Sequence, residues 1–139
     1  MNATAAELLG VHQTLSRYAL ALDQQDLVAL ESLLTEEATW TFVIAGRANL
    51  GPFSGRTTIL DFAQAAMSTQ SDQRRHHLTN VTLRSADANA AVAQAYLMLT
   101  SNAGGRPNLI ATGLYTFTLR RIDDEWRIAE LVLGMDNAE

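Results

Sequence analysis

Residues 73–80 read "QRRHHLTN" and hold two of the three histidines in the 139-residue chain, His76 and His77. Imidazole is the side chain suited to moving a proton near neutrality, and a neighbouring carboxylate can orient it and stabilise its cation. Adjacent histidines also raise the question of a metal. On a regular strand, neighbouring side chains point to opposite faces, so His76 and His77 are not expected to share one ion. His12 is remote in sequence and no cluster of carboxylates surrounds any of the three, so no metal site is expected. One histidine should face inward and the other outward. Strict alternation groups His77 with Thr79, Val81 and Leu83, the more apolar set, and His76 with Leu78, Asn80, Thr82 and Arg84. Alternation alone therefore favours His77 as the inward residue, unless a bulge or sharp twist reverses the parity.

Composition narrows the remaining chemistry. The chain has no cysteine, which removes thiolate nucleophiles, disulfides and cysteine metal ligands. Its ten basic residues are all arginines, so a Schiff-base lysine and the lysine of a phosphate-binding loop are absent as well. A hydrophobic fraction of 47% with 18% charged residues is a globular profile. The net charge of −5, with no basic cluster beyond Arg74–Arg75 and Arg120–Arg121, argues against a nucleic-acid partner. No apolar stretch approaches the roughly 20 residues that span a bilayer. The opening "MNATAAELLG" has no basic segment followed by an apolar run, so a soluble, cytoplasmic protein is expected.

The elements that must position these residues follow from period and punctuation. Thr4 and Glu7 have capping-box spacing, and Leu8, Val11, Leu15, Tyr18 and Leu22 then recur along one helical face. Asp26 can cap a second, short helix carrying Leu27, Leu30, Leu33 and Leu34. Asp23 thus lies at a helix end, beside the bend in "ALDQQD". "ATWTFVIAG", from Ala38, reads as a strand, and "NLGPFSG" as a turn with a short return. Thr57 or Thr58 can cap a third helix with Ile59, Phe62, Ala63, Ala66 and Met67 on its apolar face. "RHHLTNVTLRS", "AAVAQAYLMLTS", "LIATGLYTFTLRRI" and "EWRIAELVLGM" read as four strands. The turn-forming "ADAN", "NAGGRPN" and "DD" separate them, which predicts an antiparallel meander. No linker or repeat interrupts the order, so one α+β domain over residues 1–139 is expected, with helices on one face of a curved sheet.

This order, with "YALALDQQD" near the start and "RHHLTNV" opening the meander, resembles the nuclear-transport-factor-2-like superfamily. Within it the resemblance is to the SnoaL-like family, whose relatives include scytalone dehydratase, polyketide cyclases and a dehydrochlorinase. The resemblance implies a cone-shaped α+β barrel, a curved mixed or antiparallel sheet wrapped by three helices around an apolar cavity. It also implies an acid–base pair: Asp23 matches the aspartate after the first helix. His76, four residues before Asn80, matches the histidine that opens the third strand, with His77 as the alternative. Tyr18 stands where the ketosteroid isomerases have a tyrosine that stabilises an enolate. Their catalytic aspartate would fall near Thr41 or Phe42, which disfavours their chemistry. The further histidine of scytalone dehydratase has no counterpart in "AVAQAYLML".

The expected function is a cofactor-independent enzyme of lyase or isomerase type, dehydratase-like or cyclase-like, acting on a small apolar, cyclic ligand. Asp23, His76 and Tyr18 form its expected catalytic set. Trp40, Phe42, Phe53, Phe62, Met67, Asn80, Tyr96 and Met98 are the expected substrate-binding residues. The alternative is a non-catalytic ligand-binding or oligomerisation module, as in a dioxygenase small subunit. Strands such as "LYTFTL" and "AELVLGM" are apolar at both parities, so the face away from the helices needs a cover. A homodimer or homotrimer is expected on that ground.

Overall fold

The computed structural model describes residues 2–137. Helix α1 spans Ala5–Asp23 and opens on the capping box: Glu7 N–H donates to Thr4 Oγ1 and Thr4 N–H to Glu7 Oε1, each at 3.0 Å. Val11, Leu15, Tyr18 and Ala21 form its buried face, while Leu8 is left exposed. The short α2, Leu27–Ser32, is capped by Asp26, whose Oδ1 accepts from Ala29 N–H at 3.0 Å.

Strand β1 spans Leu34–Ile44, β2 Leu50–Ser54, β3 Gln73–Ala86, β4 Ala90–Ala103, β5 Arg106–Ile122 and β6 Glu125–Met135. They form one open, curved sheet in the order β2-β1-β6-β5-β4-β3, in which only β1 and β6 run parallel. The expected α+β class, meander and mixed sheet are all present. β1 starts four residues before the expected Ala38, because Leu34 is drawn into the parallel ladder opposite Ile128. The "NAGGRPN" loop is also shorter than expected. Gly104 and Gly105 alone make the turn, both at positive φ (62° and 76°), and the flanking residues extend β4 and β5.

Helix α3, Arg56–Ser68, begins before the expected threonine caps. Gly55 is its N-cap, at φ 94°, with no side-chain capping bond. The helices cover the concave face of the sheet, where Trp40, Tyr115, Phe117, Leu131 and Leu133 are buried against α1 and α3. Among the described residues, no helix is long and apolar enough to cross a membrane.

Contacts at two places fix α1 across that face. Near its start, Gly10 lies against Trp126: a Cβ there would stand 2.6 Å from the indole Cδ1. Thr14 Oγ1, one turn on, donates to the Trp126 carbonyl at 2.8 Å. At its end, Asp23 reaches β3.

Candidate active site

Asp23 closes α1 with its carboxylate turned onto β3. Its Oδ1 lies 2.6 Å from His76 Nδ1, and the His76 backbone N–H is 3.0 Å from both carboxylate oxygens. Gln73 Nε2 donates to the Asp23 carbonyl at 3.0 Å, so both polar ends of Asp23 are tied to β3. The two side chains are largely shielded, at 8% exposure for Asp23 and 15% for His76. A carboxylate can only accept, so Nδ1 carries the hydrogen in this contact. In the neutral ring Nε2 is then the lone-pair nitrogen, and Nε2 has no hydrogen-bond partner among the described residues.

His76 lies on the wall of a cavity of about 210 Å³ between α1, α3 and the concave sheet face. Tyr18, Trp40, Phe42, Phe62 and Met67, all expected at the site, line it too. Burial, reinforced by Tyr115, pushes the Tyr18 phenol well above its ordinary value of 10.0. Burial raises Tyr115 as well; its hydrogen bond with Tyr18 offsets part of that, and the Asp23 charge adds to it. Both hydroxyls therefore stay protonated at neutral pH. Trp40 Nε1 is buried without a partner. A wider cleft of about 330 Å³ lies between α1, α2 and the β5–β6 turn, but no histidine lines it. Among the described residues, no group of three or more His, Asp and Glu side chains is gathered that could hold a metal.

The parity of β3 changes part-way along. His76 and Leu78 face inward, opposite Leu99 and Leu97 of β4. Asn80 then adopts φ 54° and the pairing register shifts between Thr79 and Thr82, after which Val81 and Leu83 face inward. The bulge puts two odd-numbered and two even-numbered residues on the same side of one strand. His77 is exposed on the outer face, with Nε2 3.2 Å from Thr100 Oγ1.

Four expected lining residues lie elsewhere. Asn80 is the exposed bulge residue itself. Tyr96 and Met98 project from the outer face, 56% and 40% exposed, because Ala93, Ala95, Leu97 and Leu99 take the inward parity of β4. Phe53 stacks on Phe62 at 4.2 Å between ring centroids and stands behind the lining. Sequence reasoning missed Arg74, Gln70, Leu97 and Leu99, which do line the cavity. Period 2 reaches Arg74 once His76 is taken as inward, and it favours the small and apolar odd positions of β4. Arg75 is exposed, and Arg74 stands at the cavity rim: its Nε donates to Asp72 Oδ2 at 3.1 Å. The Ser101 hydroxyl also bonds Asp72, holding that carboxyl below the usual range; Arg74 adds to the effect and partial burial opposes it.

The family model described as "SnoaL-like domain" matches residues 3–132 of this chain. The chain belongs to the SnoaL-like domain family. Among curated proteins none matches this SnoaL-like chain in sequence. Solved structures share its fold at low identity. A protein from Catenulispora acidiphila in complex with S-DNPA superposes with a TM-score of 0.82 at 21% identity, covering 96% of each chain. A protein from Streptomyces avermitilis, named a dehydratase of the NTF2-like family, gives 0.77 at 17% identity over 95% of this chain and 98% of its own. The named beta subunit of an aromatic-ring-hydroxylating dioxygenase from Novosphingobium aromaticivorans gives 0.81 at 14% identity, covering 94% and 89%. The SnoaL-like fold therefore serves proteins described in different terms, and the site must carry the functional argument.

Proposed function

We propose that this SnoaL-like protein is a cofactor-independent enzyme of lyase or isomerase type that removes a proton from a small apolar, cyclic substrate. The observation that carries the reading is the 2.6 Å Asp23–His76 contact on the wall of an apolar cavity. In this mechanism His76 Nε2 takes the proton. Asp23 holds the reactive tautomer and stabilises the imidazolium that forms. The electron pair left on carbon moves onto a conjugated oxygen or expels a leaving group, and Tyr18, kept protonated, donates to the oxygen that gains charge. Elimination, cyclisation and isomerisation share this first step; the relative named as a dehydratase supports a dehydratase-like or cyclase-like outcome. The ligand complex of the Catenulispora relative supports a small organic occupant.

The similarity to a dioxygenase beta subunit supports a second reading, a non-catalytic ligand-binding or assembly module. One experiment separates the two. In a screen of cyclic ketones and hydroxylated aromatics, His76→Ala and Asp23→Asn should each lower kcat/KM by about 10²–10⁴-fold, the range of general acid–base catalysis. Turnover unchanged in both variants sinks the dyad, and cavity binding with no turnover by the unmodified protein favours the module. We also propose that the outer sheet face joins copies of the chain into a homodimer or homotrimer.

A further inference from the structure

Arg74 is the only permanently charged side chain that lines the cavity among the described residues. It stands two residues before His76 on the inward parity of β3, opposite Ser101 of β4. Asp72 holds it through Nε alone, at 3.1 Å, and the Ser101 hydroxyl holds Asp72 in turn. A guanidinium offers five N–H donors in a planar fork. Neither Nη1 nor Nη2 has a hydrogen-bond partner among the described residues, so the Nη1/Nη2 edge, which can hold a carboxylate through two parallel bonds, is unused. Of its companions along the wall, Leu22, Met67, Leu97 and Leu99 have no side-chain acceptor, and Gln70, which has one, makes no hydrogen bond with it.

We propose that Arg74 is a specificity-determining residue that binds the carboxylate of an apolar cyclic acid through its Nη edge. A single braced arginine, with no second cation on the wall, suits a monoanion better than a phosphate dianion. Two residues along a strand span on the order of 7 Å, which sets the scale of the separation between the carboxylate and the carbon that faces His76. Asp72 and Ser101 act as positioning residues that hold the guanidinium at the rim. The proposal deepens the functional reading above and rests on its ligand-binding cavity, but its test needs no turnover.

The test is calorimetric titration of the whole protein with 1-naphthylacetate and with its neutral counterpart, 1-naphthylacetamide. The acid should bind about tenfold or more tightly than the amide, as expected for an added charge-assisted bidentate contact. Arg74→Gln should reduce the acid to the affinity of the amide and leave the amide unchanged, which also reports an intact cavity. His76→Ala should retain the preference for the acid. Equal binding of the two probes, or a preference that survives Arg74→Gln, overturns the assignment of Arg74. A preference lost in His76→Ala and kept in Arg74→Gln overturns it in favour of the imidazolium. Failure of both probes to bind the unmodified protein overturns the ligand-binding cavity itself.

Discussion

Behind the Asp23–His76 contact stand two buried tyrosines, Tyr18 and Tyr115, that keep their protons more tightly folded than unfolded. The direction of the pH effect follows. Above about pH 10 the unfolded chain begins to release phenolic protons that the native state retains, so stability is present below that value and lost as pH rises. At pH 11 the loss is on the order of 1 kcal/mol for each such tyrosine. Urea unfolding at pH 8 and pH 11 should show that drop, and Tyr18→Phe should remove about half of it. A drop of unchanged size in Tyr18→Phe would count against a buried, protonated Tyr18. At this scale the sequence was partly legible. Asp23 and His76 could be nominated by resemblance, because their spacing to a helix end and to Asn80 is local. Arg74 could not, because an arginine at a cavity rim and one in solvent look alike until the parity of the strand is known. Tyr96 and Met98 misled for the reverse reason: large apolar side chains suggest an interior, yet on β4 the alanines and leucines occupy it.

Among the elements, β3 carries the feature that simple alternation could not supply. Its two halves present opposite parities to the interior, and the change is concentrated at Asn80 in the left-handed region, φ 54°. Asparagine tolerates that conformation better than other side chains, and glycine has no Cβ to oppose it. Asn80→Gly should therefore be close to neutral, whereas Asn80→Val should cost roughly 1–2 kcal/mol. Chemical denaturation measures both, and equal stability of the two variants would show that the bulge constrains nothing. The helices were readable because caps and apolar periods are written within a few residues, as at Thr4 and Asp26. The start of β1 was not, because Leu34 leaves the leucine pattern of α2 only to pair with Ile128, almost a hundred residues away. The start of α3 escaped for a different reason: Gly55 supplies a backbone conformation there instead of a capping side chain.

For the whole molecule, the outer face of the sheet is the unfinished surface. Tyr96, Met98 and Leu114 are 56%, 40% and 39% exposed and sit on neighbouring strands β4 and β5. Sedimentation at micromolar concentration should give a dimer or trimer, and Tyr96→Glu combined with Met98→Glu should move the population toward monomer. A stable monomer in the unmodified protein would contradict the proposed assembly. The arrangement of α1 has a consequence of another kind. Its two anchor points, Thr14 on β6 and Asp23 on β3, are separated by about 14 Å of helix at 1.5 Å per residue. The strands they join are three steps apart in the sheet, also about 14 Å at the usual spacing. The helix thus acts as a strut of set length, and the sheet between its ends has little freedom to flatten or curl further. That strut sets the width of the chamber, so the proposed ligand must match it, and a bulkier one would have to displace α3, which is tied to β1 at its start, where Gly55 N–H donates to the Ala38 carbonyl at 2.8 Å, and is held beyond that by packing.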